Sequence, residues 1–214
     1  MFNGGGVEEI EQRPVQKKKK AKKRNGKRER YMRPEEEKRI WKELEKYPVM
    51  KDLAEVILGT AMRPNNIINL RWEQIDWEQK QAFISVEEHK QGHAGKYLLK
   101  KVIPLLKRRQ EENGDFPFVF YRLDGAGKPK RIRHRWYQRQ WEKIMEDTGI
   151  RSEEEARGEE PLRFYDLRHT CLSRVAAKGA NEFQLKAISN HGDPNSLKHY
   201  IKDGAVRKEA EKFL

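Results

Sequence analysis

The stretch RFYDLRHTCLSRVAAKGAN, residues 163–181, carries the clearest helical pattern in the chain. Its apolar residues recur at helical spacing: Leu167, Cys171, Leu172 and Val175. Residues three and four positions apart share one face of an α-helix, so the pattern predicts a helix over 166–177 with one buried side. Gly179 follows at the position where glycine commonly closes a helix.

Helix starts can be recognised at several other places in the chain. Proline is favoured in the first turn of a helix, and two prolines indicate such starts. Pro34 is followed by three glutamates, whose charge suits a helix N-terminus, and Pro64 directly follows Arg63. Asp52 predicts the N-cap of a helix between them. Further helices are predicted at 136–148, after the capping pair Asn181 and Gln184, and at 206–214. The segment RSEEEARGEE, residues 151–160, is predicted to be a polar loop.

Short β-strands are predicted between these helices. Residues 82–86 alternate between apolar and polar, which is the pattern of a half-buried strand. A glycine-containing turn at 91–95 follows, and residues 97–103 return as a second strand. Residues 118–120 form a short extended piece before a glycine-rich turn at 124–127. The predicted fold class is therefore α+β, mainly α, with one small antiparallel sheet.

Length and composition set the broad class of protein. The chain has 214 residues, a net charge of +13 and 36% hydrophobic residues, which suits one packed domain and a tail. A single cysteine, Cys171, excludes an intramolecular disulfide and a cysteine-rich zinc site. No apolar run approaches the roughly 20 residues of a membrane helix, and residues 1–12 lack a signal-peptide core. We therefore expect a soluble, cytoplasmic protein that does not bind membranes.

Positive charge is concentrated near the N-terminus. Residues 17–30 read KKKKAKKRNGKRER, with ten Lys or Arg and one Glu, a net charge of +9. Because apolar periodicity is lacking, residues 1–30 are predicted to be a disordered basic arm that binds a polyanion, most simply nucleic acid. The residues expected to contact DNA are Lys17, Lys18, Lys19, Lys20, Lys22, Lys23 and Arg24. The alternative is a solubilising or localising tail.

Outside the arm, several polar residues stand at predicted element boundaries, where side chains often meet a ligand. Arg63 precedes a helix, and Arg168 lies within the helix over 166–177. His191 follows a helix end, and Tyr200 lies nine residues further on. A bound phosphate would explain an arginine at a helix start, because helix N-termini and guanidinium groups both favour anions. Taken singly, each residue fits an ordinary surface or capping role equally well.

Four segments in order resemble the tyrosine recombinases, or phage-type integrases. GTAMRPNNIINLRWEQIDWEQKQAFIS is similar to the family's first arginine box, with Arg63 as its arginine. EHKQGHAGKYLLKKVIPL resembles the hairpin that carries the family's lysine, here Lys90. RFYDLRHTCLSRVAAKGAN resembles the second box, with Arg168 as its arginine. ISNHGDPNSLKHY resembles the final box, with His191 and Tyr200 at the family's spacing.

The resemblance implies a helical tyrosine recombinase catalytic domain over residues 31–214, with the family's N-terminal core-binding domain absent. The implied function is site-specific DNA recombination through a 3′-phosphotyrosine intermediate, without metal, ATP or another cofactor. The implied partner is double-stranded DNA, with self-association as a dimer or tetramer, at the nucleoid of a prokaryotic or phage-infected cell. Type IB topoisomerase-like relaxation, a catalytically impaired DNA-binding protein and a general polyanion binder remain as alternatives.

The same resemblance implies a chemical role for each matched residue. Tyr200 attacks the scissile phosphodiester, while Arg63 and Arg168 stabilise charge on its non-bridging oxygens. Arginine suits this role because its forked donors stay protonated. His191 donates a hydrogen bond to the same phosphate, and Lys90 protonates the leaving 5′ oxygen.

This chain departs from the family pattern at several positions. Tyr165 stands where the second box usually has histidine, and a phenol is a poorer base than imidazole near neutral pH. Tyr165 is still counted among the expected catalytic residues, as a hydrogen-bond partner of the phosphate or of the attacking Tyr200. His169 is either structural or shares the work of that histidine. Asn66 replaces a common glutamate, and Asn190 replaces a common glycine. Lys96 is the alternative proton donor on the lysine-rich hairpin.

Overall fold

Helices dominate the computed structural model, which describes residues 30–85, 95–113, 115–190, 197, 200 and 201. Eight α-helices occur in these residues: α1 (Pro34–Leu44), α2 (Pro48–Thr60), α3 (Pro64–Ile68), α4 (Ile103–Asn113), α5 (His134–Asp147), α6 (Ile150–Arg157), α7 (Asp166–Ala177) and α8 (Glu182–Ser189). The predicted α+β class, mainly helical, is confirmed.

Two small antiparallel sheets lie among the helices. The strands are β1 (Ile75–Asp76), β2 (Gln81–Ile84) and β3 (Gly95–Leu98) in the first sheet, and β4 (Tyr121–Leu123) and β5 (Pro129–Arg131) in the second. The second sheet, which surrounds the glycine-rich turn, is absent from the sequence prediction. In the first sheet Ala82 pairs with Tyr97 on the buried face, and Phe83 pairs with Lys96 on the exposed face. This alternation decides which side chains of β3 reach the interior.

The main core joins apolar side chains from α1, α2, α3 and α5 with the first sheet and the 118–120 segment. Ile40, Leu53, Phe120 and Trp141 are each at most 1% exposed. The indole nitrogen of Trp141 donates a hydrogen bond of 2.9 Å to the carbonyl of Leu162, so its polar atom is satisfied inside the core. Each such side chain stabilises the fold by about 1.5–3 kcal/mol through burial.

A second, smaller apolar cluster lies between α7 and α8. Its buried members are Ala61, Cys171, Leu172, Ala176, Leu185, Leu197 and Tyr200. The cluster includes the C-terminal end of α2 through Ala61, and it holds Tyr200 against α7. Packing in this cluster therefore brings Leu197 and Tyr200 of the final box next to the second box.

Helix α2 begins earlier than the sequence predicts. Pro48 opens it, and Asp52 lies one turn inside the helix instead of at its N-cap. The carboxylate of Asp52 is buried and accepts hydrogen bonds of 2.6 Å from Arg108 and 2.8 Å from Arg109. Asp52 therefore connects α2 to α4, and its ion pairs with the two arginines compensate for the burial of its charge.

The strand predicted over 97–103 is wrong in its second half. Strand β3 ends at Leu98, and the amide of Val102 donates to the carbonyl of Leu99 at 2.8 Å, which turns the chain. Helix α4 follows, with Pro104 in its first turn, where no amide donor is needed. An apolar run that crosses a turn and enters a helix resembles one continuous strand at the level of sequence.

The polar loop predicted at 151–160 is also wrong, because most of it forms α6. Ile150 is fully buried, and the carboxylate of Glu154 is 1% exposed. Glu154 accepts hydrogen bonds of 2.7 Å from Arg30 and 2.6 Å from Arg151. A charged residue that is buried with its partners cannot be distinguished from a surface residue by composition alone.

Other predicted elements agree with the structure or lie outside its description. Helix α7 has the predicted bounds, and the capping box is confirmed, because Asn181 and Gln184 exchange hydrogen bonds of 2.9 and 3.0 Å. The predicted turn, except for Gly95, and the helix over 206–214 lie outside the described residues. None of the described helices is long and apolar enough to cross a membrane.

Candidate active site

Arg63 stands where the backbone changes direction between two helices. Helix α2 ends at Thr60. The next residue, Ala61, has a φ of 55° in the left-handed region, and Pro64 opens α3 shortly afterwards. Arg63 has an extended backbone between them, and its side chain is 8% exposed. The structure therefore places this guanidinium largely inside the molecule, unlike a typical surface arginine.

The guanidinium of Arg63 contacts the hydroxyl of Tyr97. The Nη1 atom of Arg63 donates to this hydroxyl at 3.4 Å, and Nδ2 of Asn66 donates to the same oxygen at 3.2 Å. Tyr97 comes from β3 and is fully buried. The Tyr97 hydroxyl is uncharged, so this contact orients the arginine without neutralising its positive charge.

Arg168 is buried to 1% exposure on α7. Its Nη1 atom donates to the carbonyl of Ala61, and its Nη2 atom donates to the carbonyl of Ser189 at 2.7 Å. Burial lowers the pKa of Arg168 from its ordinary value, and the positive charge of Arg63 acts in the same direction. The two guanidinium groups are thus close enough to affect each other, which is the arrangement that binding one phosphate requires.

Tyr200 is 3% exposed, and its hydroxyl contacts Nδ1 of His169. The two rings lie 5.8 Å apart with an interplanar angle of 29°. Burial raises the pKa of Tyr200 above its ordinary value, while the positive charge of Arg168 acts in the opposite direction. The phenol is therefore protonated at neutral pH, and a nucleophilic role requires a neighbour that accepts its proton.

Tyr165 occupies the sequence position at which the second box usually has histidine. It stands at the N-cap of α7 with 40% of its side chain exposed. Its ring packs edge-on against His169 at 5.5 Å. Tyr165 thus covers His169 from one side, and His169 is the residue in contact with the Tyr200 hydroxyl.

A cleft of about 1090 Å³ extends from Arg63 and Tyr165 across the surface. Its other basic lining residues are Arg71, Arg131, His134 and Arg163. Arg71 and Arg131 both lie over the ring of Phe118, at 5.1 and 5.0 Å from its centroid. The cleft therefore presents positive charge, supported by aromatic rings, beside the two-arginine site.

Several residues predicted from the sequence lie outside the described residues. They are Lys90, His191 and the arm residues Lys17, Lys18, Lys19, Lys20, Lys22, Lys23 and Arg24. The alternative lysine, Lys96, is described, and its side chain lies on the exposed face of β3, opposite to Tyr97. The described residues contain no group of three His, Cys, Asp or Glu placed to hold a metal ion.

Two features of the site were missed from the sequence. The contact of Tyr97 with Arg63 joins residues 34 positions apart, and no local pattern reports it. The contact of His169 with Tyr200 joins residues 31 positions apart. The only available signal was that a histidine directly follows Arg168 on the helix while the histidine of the box is missing.

Two buried arginines and a buried tyrosine at the meeting point of α2, α7 and α8 match the class predicted from the four boxes. The sequence profile of the phage integrase family matches residues 30–205. The chain therefore belongs to the phage integrase family.

Curated relatives support the same assignment. The chain is 33% identical over 160 residues to the integrase of Salmonella phage P22, an alignment that covers 72% of this chain and 38% of the relative. It is 29% identical over 175 residues to the shufflon-specific DNA recombinase of Escherichia coli, covering 81% of this chain and 40% of the relative. The chain thus spans about two fifths of the length of these relatives.

Solved structures share the fold at low sequence identity. XerA recombinase superimposes with a TM-score of 0.63 at 17% identity, covering 86% of this chain and 65% of that chain. A lambda integrase dimer bound to a core site gives 0.60 at 14% identity, covering 83% and 61%. The Tn1549 transposon integrase in complex with circular intermediate DNA gives 0.60 at 18% identity, covering 82% and 62%.

Proposed function

We propose that this chain provides the catalytic domain of a site-specific DNA recombinase that cleaves and rejoins DNA through Tyr200. The observation that carries the proposal is the buried Arg168 guanidinium, which donates to the carbonyl of Ala61, two residues before Arg63, and interacts electrostatically with Arg63 and with Tyr200. Two fixed positive groups beside a tyrosine hydroxyl suit transfer of a phosphoryl group to that hydroxyl.

The proposed reaction conserves the phosphodiester bond energy. The oxygen of Tyr200 forms a bond to the scissile phosphorus, and the bond from phosphorus to the 5′ oxygen breaks. The proton of Tyr200 passes to His169, and the leaving 5′ oxygen takes a proton from Lys90, the residue that the family resemblance assigns to this step. Attack by a second 5′-hydroxyl reverses the sequence and releases Tyr200, so no energy source is consumed.

The two arginines act on the charge that develops during this step. The transition state spreads negative charge over the non-bridging oxygens, and the forked guanidinium donors of Arg63 and Arg168 offset it. His191 adds a hydrogen bond to the same phosphate in this proposal. Tyr165 covers His169 and thereby limits the access of water to it.

Double-stranded DNA is the proposed partner. The cleft supplies Arg71, Arg131 and Arg163 along one continuous surface, and the arm adds a net charge of +9 over residues 17–30. Such groups bind phosphates without reading sequence. We further propose that protomers associate on DNA as dimers or tetramers at the nucleoid.

Covalent trapping tests the proposal. The full chain is incubated with nicked suicide duplexes drawn from its native genomic flanks, denatured, and examined for protein linked to DNA. Wild type and the control Tyr121→Phe should form the adduct, and Tyr200→Phe should not, while all three bind DNA equally. An adduct retained by Tyr200→Phe would overturn the assignment of the nucleophile.

The same samples separate the alternative functions. DNA binding with no adduct from wild type favours a catalytically impaired binding protein. An adduct accompanied by relaxation of any supercoiled plasmid, without joining of two sites, favours a topoisomerase-like enzyme. An adduct formed at one sequence, followed by joining of two sites, supports the recombinase.

A further inference from the structure

Two consecutive residues of β3, Lys96 and Tyr97, connect this strand to the two arginines of the site. Tyr97 points to the interior, where its hydroxyl accepts hydrogen bonds from Arg63 and Asn66. The backbone carbonyl of Lys96 accepts a hydrogen bond of 2.6 Å from Nδ2 of Asn190. Because side chains alternate along a strand, the Lys96 side chain faces outward while its carbonyl remains available in the plane of the sheet.

Asn190 links β3 to the second arginine. It ends α8 with a φ of 51°, in the left-handed region that asparagine tolerates and glycine prefers. The preceding residue, Ser189, is fully buried and accepts a hydrogen bond of 2.7 Å from Arg168. The amide of Asn190 therefore fixes the end of α8, and with it the carbonyl that holds Arg168.

We propose that β3 acts as a strut that sets the spacing of the two phosphate-binding arginines, with Tyr97 and Asn190 as positioning residues. This inference rests on the proposed function, because it takes Arg63 and Arg168 to bind the scissile phosphate. Tyr97 orients Arg63 directly, and Asn190 fixes Arg168 through the end of α8. Neither residue touches the reacting atoms in this scheme.

The Tyr97 hydroxyl is uncharged, which suits a site in which Arg63 must keep its positive charge for the phosphate. A carboxylate beside Arg63 would hold it firmly but would neutralise part of the charge that the phosphate needs. The Tyr97 hydroxyl, which Asn66 also contacts, restricts the guanidinium without itself carrying a charge. Long arginine side chains lose rotamer entropy on being fixed, and a preformed contact means that this loss occurs before DNA binds.

A glycine substitution at position 190 separates the positioning effect of the asparagine side chain from any effect of backbone strain. Glycine at the same position adopts the left-handed conformation more easily than asparagine but has no side-chain donor. Asn190→Gly therefore keeps the helix end and removes only the hydrogen bond to Lys96. Tyr97→Phe likewise removes one oxygen atom and keeps the ring that packs in the core.

Single-turnover cleavage of a suicide duplex measures the effect. Tyr97→Phe and Asn190→Gly should each cleave about 10- to 100-fold more slowly than wild type, since small misplacements of catalytic groups have effects of this size. Their affinity for DNA and their thermal unfolding should stay near those of wild type. Tyr121→Phe, a matched removal of a hydroxyl outside the site, should cleave at the wild-type rate.

A substrate with a neutral phosphate distinguishes positioning from general damage. When a methyl group replaces one non-bridging oxygen, the scissile phosphate carries no charge and depends less on the arginines. The rate deficit of both variants should shrink on this substrate. Because both residues act on the spacing of one pair, the double variant should also lose less than the product of the two single effects.

Different outcomes overturn the strut and the proposed function. If wild type cleaves and the two variants match it, or if their deficit is equal on charged and neutral phosphates, the strut is overturned and the recombinase stands. If wild type forms no adduct, the proposed function fails. In that case NMR order parameters of the Arg63 and Arg168 side chains still test the strut, since unchanged order in both variants would overturn it.

Discussion

At the scale of single residues, Tyr200 combines a buried position with the nucleophilic role proposed for it. Burial raises the pKa of its phenol, so the free phenolate is scarce at neutral pH. The same packing brings its hydroxyl into contact with His169. A neutral imidazole at this position can accept the proton as the oxygen attacks, which offsets the effect of burial.

Replacing this imidazole should slow the reaction and change its pH dependence. His169→Ala should lower the single-turnover cleavage rate by about 100-fold or more, because a positioned base is removed. In the variant the rate should rise with pH across the alkaline range more steeply than in wild type, because only the phenolate of Tyr200 then reacts and burial raises the pKa of this phenol. An unchanged rate and pH profile would contradict the assignment of His169.

Tyr137 provides a test of burial in the wall of the cleft. Burial raises the pKa of its phenol to about 12, above the value of about 10 expected in the unfolded chain. Between these values the unfolded state binds fewer protons than the folded state, so the free energy of unfolding falls as pH rises. The contribution reaches at most about 1.4 kcal/mol per pH unit.

Tyr137→Phe should therefore lose less stability than wild type between pH 10 and 12. Urea unfolding at several pH values measures the difference, and the two proteins should differ little at pH 7. If the free energy of unfolding falls with pH equally in both proteins throughout that alkaline range, the Tyr137 phenol does not have a raised pKa.

At the scale of elements, α6 depends on a buried carboxylate. Glu154 accepts hydrogen bonds from Arg30 and Arg151, and also from the backbone amide of Leu162 at 2.7 Å. This helix therefore connects the start of the described chain to the segment that leads into α7. Removing the carboxylate takes one acceptor from each of the two arginines, which keep Glu36 and Glu142 as partners, and leaves the buried Leu162 amide without this acceptor.

Glu154→Ala should lower the free energy of unfolding by about 3 to 5 kcal/mol, as expected when one partner of a buried ion pair is removed. Glu155→Ala is the matched control, because it removes an exposed carboxylate from the same helix and should change stability by less than about 0.5 kcal/mol. Urea unfolding of both variants is the measurement. Equal losses would show that the Glu154 ion pairs do not stabilise the fold.

At the scale of the whole molecule, charge is divided between the arm and the folded body. Arg30, which the sequence assigned to the arm, is tied to the body through Glu36 at 2.6 Å and Glu154 at 2.7 Å. A truncation that tests the arm must therefore begin at residue 30, so that these ion pairs are kept.

Deleting residues 1–29 removes nine Lys and Arg from the stretch 17–29. DNA affinity should fall across all sequences, and the slope of log K against log salt should decrease by about 0.9 for each phosphate that the arm no longer neutralises. Fluorescence anisotropy from low to moderate salt measures the slope. Deleting residues 1–16, which carry a net charge of −2, should leave it unchanged. If deletion of 1–29 has no effect on the slope, the arm does not contact DNA.

The sequence by itself determined the local elements and the family of this protein. The 3.6-residue pattern of α7 and the capping box at Asn181 depend only on residues within a few positions of one another. The four boxes likewise have short internal spacing, so their order along the chain predicts a family that the comparisons bear out. The α+β class follows from the same local periodicities.

Only the tertiary structure decided which side chains meet. The segment 151–160 is polar in composition, yet it forms a helix because Ile150 and Glu154 find partners elsewhere in the chain. Tyr97 reaches Arg63 because β3 turns that face of the sheet inward. Contacts between distant residues depend on how whole elements pack, and packing energies are summed over many side chains, so no short pattern in the sequence can specify them.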